Sequence, residues 1–124
     1  MRPAPSFQRI DAAAAEALLE RDDLLVLDVR DRKAHLEGCI GEAHMMTHKV
    51  LADLMQNAPR ELAILVYCHH GRLSLEFAQA LSEFGFQEVY SLDGGYEAWR
   101  GLGRQTQAPA TQAAFHAAFA ASAI

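Results

Sequence analysis

The sequence predicts a doubly wound α/β domain, a parallel sheet with helices on both faces. Two near-continuous apolar runs, residues 24–29 and 62–68, have the pattern of strands buried on both sides of a parallel sheet. Segments with helical spacing lie between and around them, and right-handed crossovers lay such helices over the sheet. The length of 124 residues, with 51% hydrophobic and 22% charged, suits one compact domain. Such a chain buries about two thirds of its unfolded surface without needing disulfides or a structural metal.

Ala14, Ala15, Leu18 and Leu19 mark the first helix, with Asp11 as its N-cap and Ile10 placed to staple onto Ala15. The strand over 24–29 follows, broken only by Asp28 near its end. Val50, Leu51, Leu54 and Met55 suggest another helix before the strand over 62–68. That strand passes through Gly71 into Leu75, Phe77, Ala78, Leu81 and Phe84, a helix closed by Gly85. Val89-Tyr90-Ser91-Leu92 reads as a short strand ending at Asp93-Gly94-Gly95, and residues 96–100 as one or two helical turns capped by Asp93.

Composition removes several function classes. The net charge of -5, with sixteen acidic residues interspersed among eleven Lys and Arg, leaves no phosphate-tracking stripe, so no nucleic-acid partner is expected. No apolar stretch approaches the ~20 residues that span a bilayer, and residues 1–6 lack the apolar core of a secretory signal. A cytoplasmic location with no membrane partner is expected. Two cysteines, Cys39 and Cys68, are no disulfide framework, and each reads as a reactive thiol or a small buried hydrophobe.

Ligand crevices of open parallel sheets lie beyond the carboxyl ends of the strands. Asp28-Val29-Arg30, Cys68-His69-His70-Gly71 and Asp93-Gly94-Gly95 end strands and should meet at one edge. Cys68 stands where a strand gives way to a helix, so turn N–H groups and the positive helix end point toward its sulfur and favour an exposed, nucleophilic thiolate. The plainer alternative is a buried core cysteine. Zinc binding by Cys39, Cys68, His44, His69 and His70 is disfavoured, because a cysteine followed directly by two histidines lacks the usual ligand gaps; no metal is expected.

Leu-Asp-Val-Arg at 27–30, Gly-Cys-Ile at 38–40, Cys-His-His-Gly at 68–71 and Asp-Gly-Gly-Tyr-x-x-Trp at 93–99 occur in this order. Together they resemble a single-domain rhodanese over about residues 6–102, most of all the short thiosulfate sulfurtransferase type associated with glycerol metabolism. The resemblance implies about five strands and a sulfane sulfur passed from thiosulfate, through a persulfide on Cys68, to cyanide or a thiol by double displacement. It implies no cofactor, since the sulfur rides on Cys68. The acceptor is open among small thiols, cyanide and a thioredoxin-like dithiol protein. The alternative is a non-enzymatic rhodanese-like module that binds a partner or relays sulfur.

The resemblance implies an active-site loop of His69, His70, Gly71, Arg72, Leu73 and Ser74, whose N–H groups could ring the outer sulfur. Arg72, its one arginine, could attract the thiosulfate dianion or be a solvated charge. Adjacent histidines on a turn usually point apart, so one at most, with His70 favoured, would face the sulfur. Asp28 and Arg30 resemble the family's structural support, Asp28 bonding backbone near the active loop and Arg30 pairing with a carboxylate. Gly94 and Gly95 are expected to permit close strand-to-helix packing, and Trp99 to anchor the last helix.

Two departures matter. Many rhodaneses carry Arg where Leu73 stands, which bears on donor preference. Ser74 occupies the place of the arginine that related cysteine phosphatases use to clamp a phosphoryl group, so phosphatase and arsenate-reductase chemistry are not expected. Cys39, where the family often has His, is either a packed side chain or a thiol resolving the Cys68 persulfide. Residues 103–124 form an Ala- and Gln-rich tail in which Phe115 and Phe119, four apart, mark one face of a partly helical segment.

Overall fold

The computed structural model describes residues 6–103. Along them run β1 (Gln8–Ile10), α1 (Ala12–Leu18), β2 (Leu24–Asp28), α2 (Arg32–Glu37), β3 (His44–Met45), α3 (His48–Asn57), β4 (Ala63–Tyr67), α4 (Leu73–Glu83), β5 (Glu88–Leu92) and α5 (Gly95–Gly101). The strands form one five-stranded sheet in the order β1-β5-β4-β2-β3, parallel throughout. Among the described residues no helix is long and apolar enough to cross a membrane. The helix expected around Phe115 and Phe119 lies outside the described residues.

Side chains alternate along a strand, and this sorts the core into two layers. Leu25, Leu27, Ile64, Val66, Cys68 and Val89 pack with Leu54 of α3 and with Ala78 and Leu81 of α4. Val26, Leu65, Tyr67 and Leu92 pack on the other face with Ala12 and Ala15 of α1 and Trp99 of α5. Both central strands are covered on each side, which is why they read as unbroken apolar runs. Asp11 caps α1, accepting from the Ala14 N–H at 2.9 Å, and Ile10 joins the same layer as Ala15.

Three elements carry too little sequence signal to be read in advance. β1 pairs at the sheet edge, with Gln8 and Arg9 exposed. β3 is two residues long. α2 has six residues and is capped by Asp31, whose carboxylate accepts from the Ala34 N–H.

The expected Asp93 cap does not form. α5 follows Gly94, which has φ +76°, and no side chain caps it. The Asp93 N–H stays in register with β1, donating to the Ile10 carbonyl, and its carboxylate takes the Arg9 Nε at 2.8 Å. The first turn of α5 is satisfied instead by the loop after β4: Tyr96 N–H donates to the Cys68 carbonyl at 2.8 Å and Glu97 N–H to that of His69 at 3.1 Å. The orphan donors of a helix start thus tie α5 to the loop after β4.

Candidate active site

Cys68 follows β4 directly, so the strand alternation that points Tyr67 toward α1 and α5 points Cys68 toward α4. Its sulfur accepts the Gly71 N–H at 3.1 Å and the Ser74 N–H at 3.3 Å, and lies 3.5 Å from Ser74 Oγ. α4 starts after Arg72 with no side-chain cap from that residue. The Cys68 sulfur takes the place of a capping oxygen, meeting an otherwise unpaired donor of the first turn and the positive end of the helix dipole.

Burial pushes the Cys68 thiol up, but hydrogen bonds from the Ser74 hydroxyl and N–H, and from the N–H groups of Gly71 and His70, outweigh it and hold the thiol below its ordinary range. Neutral donors aimed at one sulfur favour the thiolate, and none of them has to move as charge develops there. The expectation of an exposed sulfur needs correction: Cys68 is 4% exposed, because the alternation turns it under α4 to the floor of the loop.

The rest of the loop faces outward. His69, His70, Arg72 and Leu73 are exposed. The two imidazoles do not diverge as expected; their centroids are 6.1 Å apart at an angle of 36°. Neither ring bonds the Cys68 sulfur among the described residues, and His70 reaches it through its N–H. Leu73, 43% exposed, puts an apolar side chain on the rim beside Arg72.

Two glycines let the β5–α5 turn close against this loop. A Cβ on Gly71, where φ is +91°, would sit 2.7 Å from the Gly94 nitrogen. A Cβ on Gly95, where φ is +60°, would sit 2.3 Å from the Cys68 carbonyl oxygen and 2.7 Å from the His69 carbonyl. Neither neighbour is a flexible side chain, so Gly95→Ala must displace the loop. The left-handed backbone alone costs about 1–3 kcal/mol for a residue with a side chain. Gly95→Ala is expected to lower the melting temperature by roughly 5 °C or more, and to slow alkylation of Cys68; an unchanged melting curve would show that the turn yields freely.

Asp28 and Arg30 form a buried unit on the opposite face. The Arg30 Nε and Nη2 donate to Asp28 Oδ1 and Oδ2 at 3.0 and 2.7 Å, and the Arg30 N–H donates to Oδ1 at 2.9 Å. Register pairs Asp28 with Tyr67, whose hydroxyl donates to Oδ2 at 2.9 Å and accepts the Ile40 N–H at 3.1 Å. His35 Nδ1 lies 2.9 Å from Oδ2. Burial pushes the Asp28 carboxyl up, but Arg30 and His35 outweigh it and hold it below the usual carboxylate range.

One expectation is corrected here: among the described residues Asp28 bonds the backbone of Arg30, two residues on, and no backbone group of residues 69–74. Arg30 pairs with a carboxylate, that of Asp28. The unit reaches the loop indirectly: the Arg30 guanidinium stacks 3.9 Å above the Tyr96 ring, and Tyr96 N–H holds the Cys68 carbonyl. His35 and Tyr67 were not singled out by the sequence, and Tyr96 stood there only as a motif position with no role; a polar Tyr67 between apolar residues in a buried strand was the available hint.

Cys39 packs with Tyr67 and Ile40 in the layer facing α1 and α5, whereas Cys68 lies in the layer facing α4. Burial raises the Cys39 thiol, and neither cysteine is in a disulfide. With the sheet between them, the structure favours Cys39 as a packed side chain over a resolving thiol.

Comparison with known proteins agrees with this geometry. The family model described as a rhodanese-like domain matches residues 11–102. The chain is 38% identical over 94 residues to the thiosulfate sulfurtransferase GlpE of Coxiella burnetii, covering 76% of this chain and 88% of that one. It is 38% identical over 93 residues to the GlpE of Vibrio cholerae, covering 75% and 88%. Among solved structures, the solution structure of the rhodanese-like domain of the Anabaena Alr3790 protein superposes with a TM-score of 0.71 at 28% identity, covering 83% of this chain and 80% of that one.

Proposed function

This chain belongs to the rhodanese-like domain family, and on that footing we propose that it is a sulfurtransferase moving a sulfane sulfur from thiosulfate, or a donor of that class, through a Cys68 persulfide to cyanide or a thiol. The observation that carries this reading is the convergence of the Gly71 and Ser74 N–H groups and the Ser74 hydroxyl on one sulfur. The relatives named thiosulfate sulfurtransferase support the choice of donor.

In the first step the Cys68 thiolate attacks the outer sulfur of thiosulfate. The sulfur–sulfur bond of the donor breaks and sulfite leaves with its electron pair, so Cys68 carries a persulfide anion. In the second, cyanide attacks the outer sulfur, thiocyanate leaves and the Cys68 thiolate returns; a thiolate, including one from a thioredoxin-like dithiol protein, attacks the same atom. The sulfur travels on the protein, so the scheme uses no organic cofactor, and it suits the reducing cytoplasm. Ser74 beside the sulfur, in place of a guanidinium, argues against phosphoryl transfer.

Reduced protein incubated with thiosulfate is expected to gain about 32 Da, one sulfur, and to lose it to cyanide as thiocyanate. A folded sample that takes no sulfur from thiosulfate or from mercaptopyruvate would leave the chain as a binding module. Arg72, exposed at the start of α4, is proposed to draw in the anionic donor. Arg72→Ala should raise the KM for thiosulfate several-fold, more so at low salt, with little change in kcat; an unchanged KM would remove Arg72 from donor binding.

A further inference from the structure

Ser91 is buried completely in β5, and its Oγ lies 2.9 Å from Ser74 Oγ, the hydroxyl that faces the Cys68 sulfur. We infer that Ser91 is a positioning residue for sulfur transfer, holding Ser74 Oγ so that the Ser74 proton is directed at Cys68 Sγ. This rests on the sulfurtransferase reading above.

Strand geometry puts the three groups in line. Val66 is the register partner of Ser91, and Cys68 lies two residues beyond Val66, so Cys68 and Ser91 project from the same face toward α4. Val89, two residues before Ser91, contributes to the apolar layer there. A hydrocarbon would suit position 91 equally well for packing, and a buried hydroxyl is tolerated only when it is hydrogen-bonded. Its partner among the described residues is Ser74.

Proton arithmetic gives the arrangement a direction. A thiolate only accepts, so Ser91 O–H donates to Ser74 Oγ and Ser74 O–H donates to Sγ, two protons filling two links. Protonating Cys68 puts three protons on the same two links and strands one buried donor. Ser74 also sits in the first turn of α4, where a serine hydroxyl can turn to local backbone. The bond from Ser91 anchors its oxygen against that turn, so Ser91 acts on the sulfur through Ser74.

The elements packed around the sulfur carry the charged and titratable groups His69, His70 and Arg72 in the loop, Glu76 in α4, and Asp93 and Glu97 at the β5–α5 junction. Asp28 and Arg30 lie across the sheet. None of these side chains is hydrogen-bonded to Cys68 Sγ among the described residues.

The test is the pH dependence of Cys68 alkylation by iodoacetamide, read by peptide mass in the full chain. Ser91→Ala should raise the midpoint by about one pH unit, the loss of one hydrogen bond to a charged sulfur. Ser74→Ala should do the same, and the double variant should shift no further than Ser74→Ala. Ser91→Thr, which keeps the hydroxyl, should restore the wild-type midpoint. Ser82→Ala serves as control: it deletes another buried α4 hydroxyl, bonded to the Ser6 and Ala78 carbonyls, and should leave the midpoint unmoved. A wild-type midpoint in Ser91→Ala, or additive shifts in the double variant, would overturn the inference. If Ser91→Ala does not fold, Ser91→Cys, with its weak donor, is judged by the same criterion. Alkylation needs no sulfur donor, so failure to form a persulfide tells against the sulfurtransferase reading, while an unmoved midpoint tells against Ser91.

Discussion

Cys68→Ser is expected to reduce sulfur transfer from thiosulfate roughly a thousandfold or more, and to leave the melting temperature within about 3 °C of wild type. The two halves have separate causes. A serine hydroxyl is not ionised near neutrality and cannot carry the sulfur as a persulfide, so the route through position 68 is lost. Yet Cys68 also caps α4, taking the Gly71 and Ser74 N–H groups, and serine is among the preferred capping residues. Activity and stability therefore part company in this variant. Persulfide formation by Cys68→Ser, seen as the gain of one sulfur in intact mass, would move the chemistry to another residue.

In the wild type the sign of the pH dependence follows from the same contacts. The reactive form is deprotonated and its hydrogen bonds lower the thiol pKa. The rate constant for persulfide formation should rise with pH to a plateau reached below the range of an ordinary thiol, and fall on the acid side as Cys68 takes up its proton. A profile still climbing at about pH 9 would mean that the donors around the sulfur do not prevail over its burial.

The largest stability loss is expected from breaking the Asp28–Arg30 unit. Asp28 is fully buried and receives donors from Arg30, Tyr67 and His35, so Arg30→Met removes its counter-charge in a place water does not reach. Deleting one partner of such a pair costs about 3–5 kcal/mol, a large part of the stability of a domain this size. Chemical denaturation of Arg30→Met and Asp28→Asn would measure it, and a loss below about 1 kcal/mol would show that the site relaxes or hydrates.

Arg30→Met should also slow Cys68 alkylation, since Arg30 packs on Tyr96 and Tyr96 N–H holds the Cys68 carbonyl. Acid sensitivity supplies a second readout. The folded Asp28 carboxyl lies below its ordinary value, so the unfolded chain binds its proton first as pH falls. The stabilisation from Asp28 is complete above the ordinary carboxylate pKa and is lost as pH drops through the lower, folded value. Asp28→Asn should remove this contribution and flatten the acid limb of the stability curve.

The central strands and the helices α1, α3 and α4 were legible in the sequence, and Cys68 stood out there as the candidate nucleophile, because each rests on short-range chemistry. Double burial demands apolar runs, and these mark β2 and β4; Asp11 states its capping role three residues from the group it caps. The ordered motifs around Asp28, Cys68 and Asp93 placed the site at the carboxyl edge before any coordinate. β1, α2 and β3 were illegible because edge pairing or a single cap holds them, and neither leaves a periodic pattern.

Only the tertiary structure decided who meets whom. Asp93 suits a helix cap by residue type, but the left-handed turn at Gly94 and the pairing of β1 with β5 send it to Arg9. Ser91 is one more small residue in a strand until the β4–β5 register sets it beside Ser74, and Cys39 is a candidate thiol until the sheet separates it from Cys68. Local preference and strand alternation act over a few residues and are written in the order of the chain. Register, the facing of layers and the close approach of one backbone to another join residues dozens of positions apart, and they exist only once the chain has folded.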